Sequence, residues 1–474
     1  MVMRTNLPEE DVFTHIASLG KVKSSMVARL SGESMSFSEV VKIFMPVLVD
    51  QAFIILLNLV NSSMISSSGV AAISAVNMVD SLNFFLINIF VAISTGGTVV
   101  VAQFKGSGNE KMVSKSAAGS VSSVFLLALG ISVTVIILHG PLLGMLFGSA
   151  KPDVFSNARI YLIGCSASYC GIATVESVCG AFRGVGETKS SFALSFTMNI
   201  TYVLLNILFI NVLHMGVLGM VIALNIARYF AAACAIGFLI LRGRPLHYHF
   251  ADTFHFNPVI LKKIFYIGLP FAAEQLFFQG GKLLTQTFIV SMGTLAIDTN
   301  AISGSMATMY QIPANALSLT IITVVGQCIG RRNVPDARKF IKNFLVLASI
   351  SFVMMTALLL PLFYPIISLF SPPASVVPDV YRILVINCIA LITLWPISFI
   401  TPSALRAAGD SKFTSVVAML SMWLFRVVMG YLLGIVFKFG IVGVWLAMDC
   451  EWGVRGTVFL LRYHGDKWYR HNLV

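Results

Sequence analysis

Two carboxylates interrupt long apolar stretches of this chain in the same local setting. Asp50 closes Pro46-Val-Leu-Val-Asp50-Gln51, and Glu274 closes Pro270-Phe-Ala-Ala-Glu274 before Gln275. A proline inside a helix frees the carbonyl four residues back, so the backbone bends more easily beside each acid. At 1.5 Å per residue, Glu274 lies roughly 16 Å along its helix from Lys263 and Asp50 roughly 12 Å from Lys42. A carboxylate at that depth can take a proton from one side and release it when its surroundings reopen to water. The change of charge then biases which packing is favoured, so both acids are candidates for ion coupling. The structural alternative is that each acid pairs with Lys282 or an arginine and holds helices together.

Polar side chains accompany the acids. Gln275, Gln279, Lys282 and Gln286 follow i, i+4, i+7, i+11 spacing, which places them on one helix face, and Gln51, Asn58 and Ser62 form the matching stripe around Asp50. Such a stripe faces a cleft or another helix, since lipid offers it no partner. Lys282 is expected to be neutralised by Glu274, to attract an anion, or to reach toward the outer surface. Asp449, Glu451 and Arg455 form a second charged cluster in which Glu451 and Arg455 can pair at i, i+4, with Arg426 as a further member, and this cluster reads as structural. Glu176 and Arg228 are also ionisable and embedded, while Asp80 and Asp298 lie closer to helix ends.

The elements that carry these residues must be membrane helices. The 474 residues are 57% hydrophobic and 11% charged, with a mean hydropathy of +0.87, and apolar stretches of twenty or more residues recur from Val41 to Leu461. Twelve spans are expected at about 41–65, 72–103, 116–139, 158–181, 190–213, 217–241, 264–291, 296–328, 340–369, 380–405, 413–437 and 441–462. The expected fold is an all-α integral membrane protein. The first forty residues are read as a cytoplasmic segment, 242–263 as the linker between two halves and 463–474 as a cytoplasmic tail. The net charge of +12 does not indicate nucleic acid. Most Lys and Arg sit in alternate loops, among them Lys105, Lys111, Lys115, Arg331, Arg332 and Arg338, whereas the opposite loops carry Lys151, Arg159, Arg382 and Lys438. By the positive-inside rule both termini are cytoplasmic. The seven cysteines show no metal-ligand spacing and read as small buried hydrophobes.

Sliding the chain against itself by 224 positions superimposes its unusual residues. Asp50 falls on Glu274, Gly69 on Gly293, Gln103 on Gln327, Gly106 on Gly330 and Asn109 on Asn333. After a one-residue slip, Arg183, Gly186 and Lys189 fall on Arg406, Gly409 and Lys412, and Gly216, Gly219 and Ala223 return to the original offset on Gly440, Gly443 and Ala447. An even number of spans per repeat gives the halves one orientation, so 41–241 and 264–462 are expected as two like six-helix lobes about an axis along the membrane normal.

Ala102-Gln103-Phe-Lys-Gly106-Ser-Gly108-Asn109 and Arg183-Gly-Val-Gly186-Glu-Thr-Lys189, with their counterparts Val325-Gly326-Gln327-Cys-Ile-Gly330 and Leu405-Arg406-Ala-Ala-Gly409-Asp410-Ser-Lys412, resemble the multidrug and toxic compound extrusion (MATE) family. Order and spacing agree from Pro46 to Trp468. The resemblance implies a V-shaped pair of six-helix lobes that exports amphiphilic, often cationic compounds and is driven by inward flow of protons or sodium ions. It also shows a departure. Many members carry an aspartate late in the first span, and the matching position here is Asn61, whose amide cannot titrate.

Together these readings predict an antiporter working by alternating access, a monomer in the plasma membrane, in a bacterium the inner membrane. Its partners are a small-molecule substrate and the bilayer, with no cofactor and no metal beyond a possible Na+ site. The coupling ion is H+ before Na+, because two isolated carboxylates suffice for a proton. A lipid-linked oligosaccharide or lipid flippase is the nearest alternative, and an intramembrane enzyme or channel-like subunit the next. The chain carries no phosphate-binding loop, zinc-protease motif or nucleophile elbow, so it is expected not to be an enzyme.

Overall fold

In lipid every backbone amide must be satisfied within its own segment, and this chain answers with helices throughout. A computed structural model describes residues 27–65, 70–148, 151–241, 246, 248, 257–370, 372–471 and 473, and the side chains of 58–65, 70, 146 and 147 lie outside that description. The first half comprises α1 (Phe37–Ile65), α2 (Val70–Gly106), α3 (Glu110–Ile137), the short α4 (His139–Phe147), α5 (Pro152–Ala167), α6 (Tyr169–Val185), α7 (Thr188–Asn206) and α8 (Gly216–Leu241). The second comprises α9 (Pro258–Ser291), α10 (Thr294–Gly330), α11 (Val334–Leu359), the short α12 (Phe363–Ser368), α13 (Val377–Thr393), α14 (Trp395–Ala407), α15 (Ser411–Ser421) and α16 (Gly440–His464). Wide π turns extend α7 through Ile207–Val212 and recur beyond α15 at Met422–Val428 and Leu432–Val436.

Among the described residues, 8 helices are long and apolar enough to cross a bilayer, and two bent pairs, α5 with α6 and α13 with α14, each make one more span. The spans missing from that set are α9 and α16, the two that carry Glu274, Lys282, Asp449, Glu451 and Arg455. Counting them gives the expected twelve. The two bends, 43° and 41°, occupy the same place in each half and split what the sequence presents as single continuous spans. Pro46, Pro270 and Pro313 lie inside unbroken helices. The linker expected at 242–263 is shorter at its far end, because α9 already begins at Pro258, where Pro at N1 and the Asn257 side chain, accepting from the amides of Val259 and Ile260, start the helix.

The duplicated residues explain themselves once the halves are packed. Asn109 and Asn333 are equivalent N-caps, accepting from the amides of Met112 and Asp336. Gly186 and Gly409 hold φ of +91° and +101° at equivalent turns, a conformation that favours glycine. Gly106 lies against the Gln327 carbonyl and Gly330 against the Gln103 carbonyl, so that a Cβ on either would overlap backbone of the other lobe. The Gln103 side chain donates to the Ala407 carbonyl at 2.7 Å, and Gln327 donates to the Gly184 carbonyl at 3.1 Å. These are reciprocal halves of one clasp. Thr323, donating to the Arg183 carbonyl at 2.8 Å, joins it.

The clasp lies at the end of the molecule that carries the chain termini. The 27–36 segment docks on the second lobe there: Asp336 accepts from the Ser34 amide at 2.6 Å and Lys339 reaches the Ser31 carbonyl. At the other terminus, Trp468 is fully buried, Arg462 donates to Asp410 at 2.7 Å, and Lys263 reaches the Leu473 carbonyl.

Candidate functional site

Each lobe holds a cavity lined by polar and apolar side chains, and the two are built from equivalent positions. The first, of about 640 Å³, includes Asp80, Asn83, Ile87, Tyr202, Leu224 and Arg228. Shifted by the repeat, these become Gly304, Ala307, Gln311, Arg426, Met448 and Trp452, all of which line the second cavity, of about 460 Å³. The fold therefore places a chamber at the same spot twice and fills it with different chemistry.

In the first lobe Asp80, on α2, accepts from the Tyr161 hydroxyl at 2.8 Å and from the Asn83 amide at 3.4 Å. Tyr169 donates to Asn83 at 2.6 Å. Arg228, on α8, donates to the Ser168 hydroxyl at the bend between α5 and α6 at 2.7 Å. Sequence reasoning set Asp80 aside as lying near a helix end and gave Arg228 no patterned partner. The signal that could have joined them was the repeat itself, since both fall on residues lining the opposite lobe's cavity.

The two candidate coupling acids, equivalent in sequence, differ in surroundings. Glu274 accepts from Arg406 at 2.9 Å and from the Ser415 hydroxyl at 2.9 Å, and the Arg406 guanidinium lies 3.7 Å from the Phe271 ring centroid. Arg406 precedes Ala407, whose carbonyl receives Gln103, so this ion pair adjoins the clasp. Asp50 is buried, with Ser195 as its hydrogen-bonding neighbour and Arg183 and Glu176 as the charges acting on it. Arg183 pairs with Glu176 at 3.7 Å, and one Asp50 oxygen, Oδ1, has no hydrogen-bond partner among the described residues.

The expectation that Glu274 neutralises Lys282 is corrected by this arrangement. Arg406 and Ser415 occupy the Glu274 oxygen, whereas Lys282, two turns along α9, holds its Nζ 5.0 Å from the Phe278 ring centroid and makes no ion pair among the described residues. Lys282 and Gln286 line the second cavity, and Asn300 donates to Gln286 at 3.3 Å. Gln51, Gln275 and Gln279 are half-exposed and line neither cavity. The side chains of Asn58 and Asn61 lie outside the described residues.

The charged cluster on α16 closes on itself. Glu451, fully buried, bridges Arg426 and Arg455 at 3.1 Å each and accepts from Ser421 at 3.3 Å. Arg455 also donates to Ser398 at 2.7 Å. Asp449 stands apart from this bridge, accepting from Asn387 at 2.9 Å. Among the described residues no group of three or more His, Cys, Asp or Glu side chains is placed to hold a metal ion.

Two like helical lobes, clasped at one end and each holding a cavity with charged side chains on its wall, define a duplicated-lobe membrane transporter. The MatE family profile matches residues 46–210 and 270–432, one stretch in each lobe, and the chain belongs to that family. It is 25% identical over 439 residues to a protein named "Uncharacterized transporter YisQ" of Bacillus subtilis, covering 90% of this chain and 94% of that one. A probable multidrug resistance protein NorM of Thermotoga maritima is 22% identical over 444 residues, covering 91% and 92%. A solved structure described as the outward-facing conformation of a multidrug resistance MATE family transporter of the MOP superfamily superposes with a TM-score of 0.83 at 19% identity, over 93% of this chain and 97% of that one. These relatives are transporters, and the enzyme alternative is set aside with them.

Proposed function

We propose that this chain is an ion-coupled antiporter that exports small amphiphilic compounds, cations among them, by alternating access of its two lobes. The observation that carries the reading is the clasp: the lobes lock at one end through reciprocal contacts, while each holds its own chamber and its own embedded acid, Asp50 buried and Glu274 half-buried. The multidrug resistance names of relatives such as NorM support a broad substrate range, and Asp80 is the acid best placed to receive a cationic group. By the positive-inside rule we place the clasped end on the cytoplasmic side, which makes an outward-opening state the one this clasp favours. We place the protein in the plasma membrane, the inner membrane in a bacterium, as a monomer.

Coupling follows from the two acids. A proton on Glu274 leaves Arg406 buried without its counter-charge, and breaking a buried pair costs about 3–5 kcal/mol. Turning a two-state equilibrium from 1:99 to 99:1 takes about 5.5 kcal/mol, so this one event supplies most of the bias a lobe movement needs. Asp50, with an oxygen to spare, is the group in the first lobe that can take a proton or contribute to a Na+ site. Protons remain the favoured ion, because among the described residues no further acid makes a contact with Asp50 or Glu274.

Ethidium efflux from proteoliposomes holding the purified protein, under an imposed proton gradient in one set and a sodium gradient in another, tests the reading. Efflux driven by one gradient and lost in Glu274→Gln and Asp50→Asn is expected. Unchanged efflux in both variants removes the acids from coupling, and no efflux under either gradient brings the flippase alternative forward.

A further inference from the structure

We propose that the cavity of the second lobe is a binding site for organic anions, taking a ring-bearing carboxylate or sulfonate. The charged side chains lining it, Lys282 and Arg426, are both basic. Arg426 shares the single carboxylate of Glu451 with Arg455, and no acid pairs with Lys282 among the described residues. Glu451 is fully buried and spends its two oxygens on Arg426 and Arg455, and Asp449 is buried and turned to Asn387. Lys282 keeps its ammonium free of any ion pair among the described residues, with the Phe278 ring 5.0 Å from its Nζ. Gln286 accepts from Asn300 through its carbonyl, which leaves its amide group to donate. The wall thus offers donors and positive charge where a cation would need a carboxylate. An anion matches that pattern, and charge-assisted hydrogen bonds are the stronger kind.

The apolar part of the ligand has a place as well. Trp445, Trp452, Phe278 and Phe399 line the same chamber. Arg426 lies 5.3 Å from the Phe278 centroid, so ring surface and positive charge stand side by side.

The repeat shows that this basic character is not required by the fold. Where the second lobe has Arg426 and Lys282 the first has Tyr202 and Asn58, and where the first has Asp80 the second has Gly304. Two chambers of one architecture differ in charge: the first sets Asp80 against Arg228, whereas the second carries Lys282 and Arg426 with no acid on its wall among the described residues. On this basis the transporter accepts organic anions in addition to the cations expected of the first lobe. The site belongs to an export path only if the exporter reading holds, and it rests on that reading.

Equilibrium dialysis of the full-length protein in a neutral detergent, against 1-naphthalenesulfonate and against 1-naphthyltrimethylammonium, separates the charge from the ring. Binding of the sulfonate is expected to weaken about tenfold in Lys282→Gln, the equivalent of about 1.4 kcal/mol. It should be retained in Lys282→Arg, which also controls for folding, and Lys282→Glu should turn the preference toward the ammonium. Sulfonate affinity unchanged in Lys282→Gln, or an ammonium bound as tightly as the sulfonate by the unaltered protein, overturns the proposal. Transport is read separately. Ethidium export without sulfonate binding overturns the anion site alone, whereas sulfonate binding without export of any probe supports the site and overturns the exporter reading.

Discussion

Glu451 holds the charge balance of the second lobe, because a single carboxylate there pairs with two buried arginines. Its replacement by glutamine keeps the shape and removes the charge, leaving Arg426 and Arg455 buried beside a neutral amide. The expected loss is about 3–5 kcal/mol of stability, seen as a lower thermal unfolding midpoint of the detergent-solubilised protein. A midpoint within experimental scatter of the unaltered protein contradicts this role. The Glu451–Arg455 half of the bridge was legible in the sequence, since i, i+4 spacing on a helix brings two side chains together. The Glu274–Arg406 pair was not. Its partners are 132 positions apart, and Lys282, two turns from Glu274 on the same helix, offered the local pairing that sequence reasoning weighed. The shared wall of Asp80 and Arg228 was hidden for the same reason.

At the level of the helices, the repeat carried most of the information that survived into the structure. Gln103 and Gln327, Gly106 and Gly330, Asn109 and Asn333 were visible as a register, and packing shows each pair performing one task in both lobes. What the register could not convey is that α2 and α10 meet through those residues, because equivalence says nothing about contact. The bends between α5 and α6 and between α13 and α14 were also missed. The first has no proline at its break to announce it, and the apolar composition runs through both. The close approach of α2 and α10 makes a definite expectation. In Gly330→Ala the new Cβ meets the Gln103 carbonyl, so the clasp must part. Cys328, buried beside it, should then be alkylated faster by N-ethylmaleimide than in the unaltered protein, as read on its own peptide by mass spectrometry so that exposed Cys450 does not interfere. An unchanged rate at Cys328 means that the clasp tolerates the methyl group and the glycine has another purpose.

Across the whole molecule a clasp at one end is coupled to chambers within the lobes, and alternating access requires that the two ends open in turn. Composition and repeat made the twelve-helix, two-lobe architecture legible, whereas which end is closed depends on contacts between residues 140 to 304 positions apart. The most direct test is a pair of distances across the lobes in lipid nanodiscs, measured between spin labels at exposed sites. One pair, at Lys151 and Lys438, reports on the end away from the clasp, and the other, at Lys111 and Arg331, reports on the clasped end. As pH, sodium and ethidium are varied, the Lys111–Arg331 distance is expected to lengthen under the same conditions that shorten the Lys151–Lys438 distance. Two distances that stay fixed under every condition, or that lengthen together, contradict alternating access by this chain.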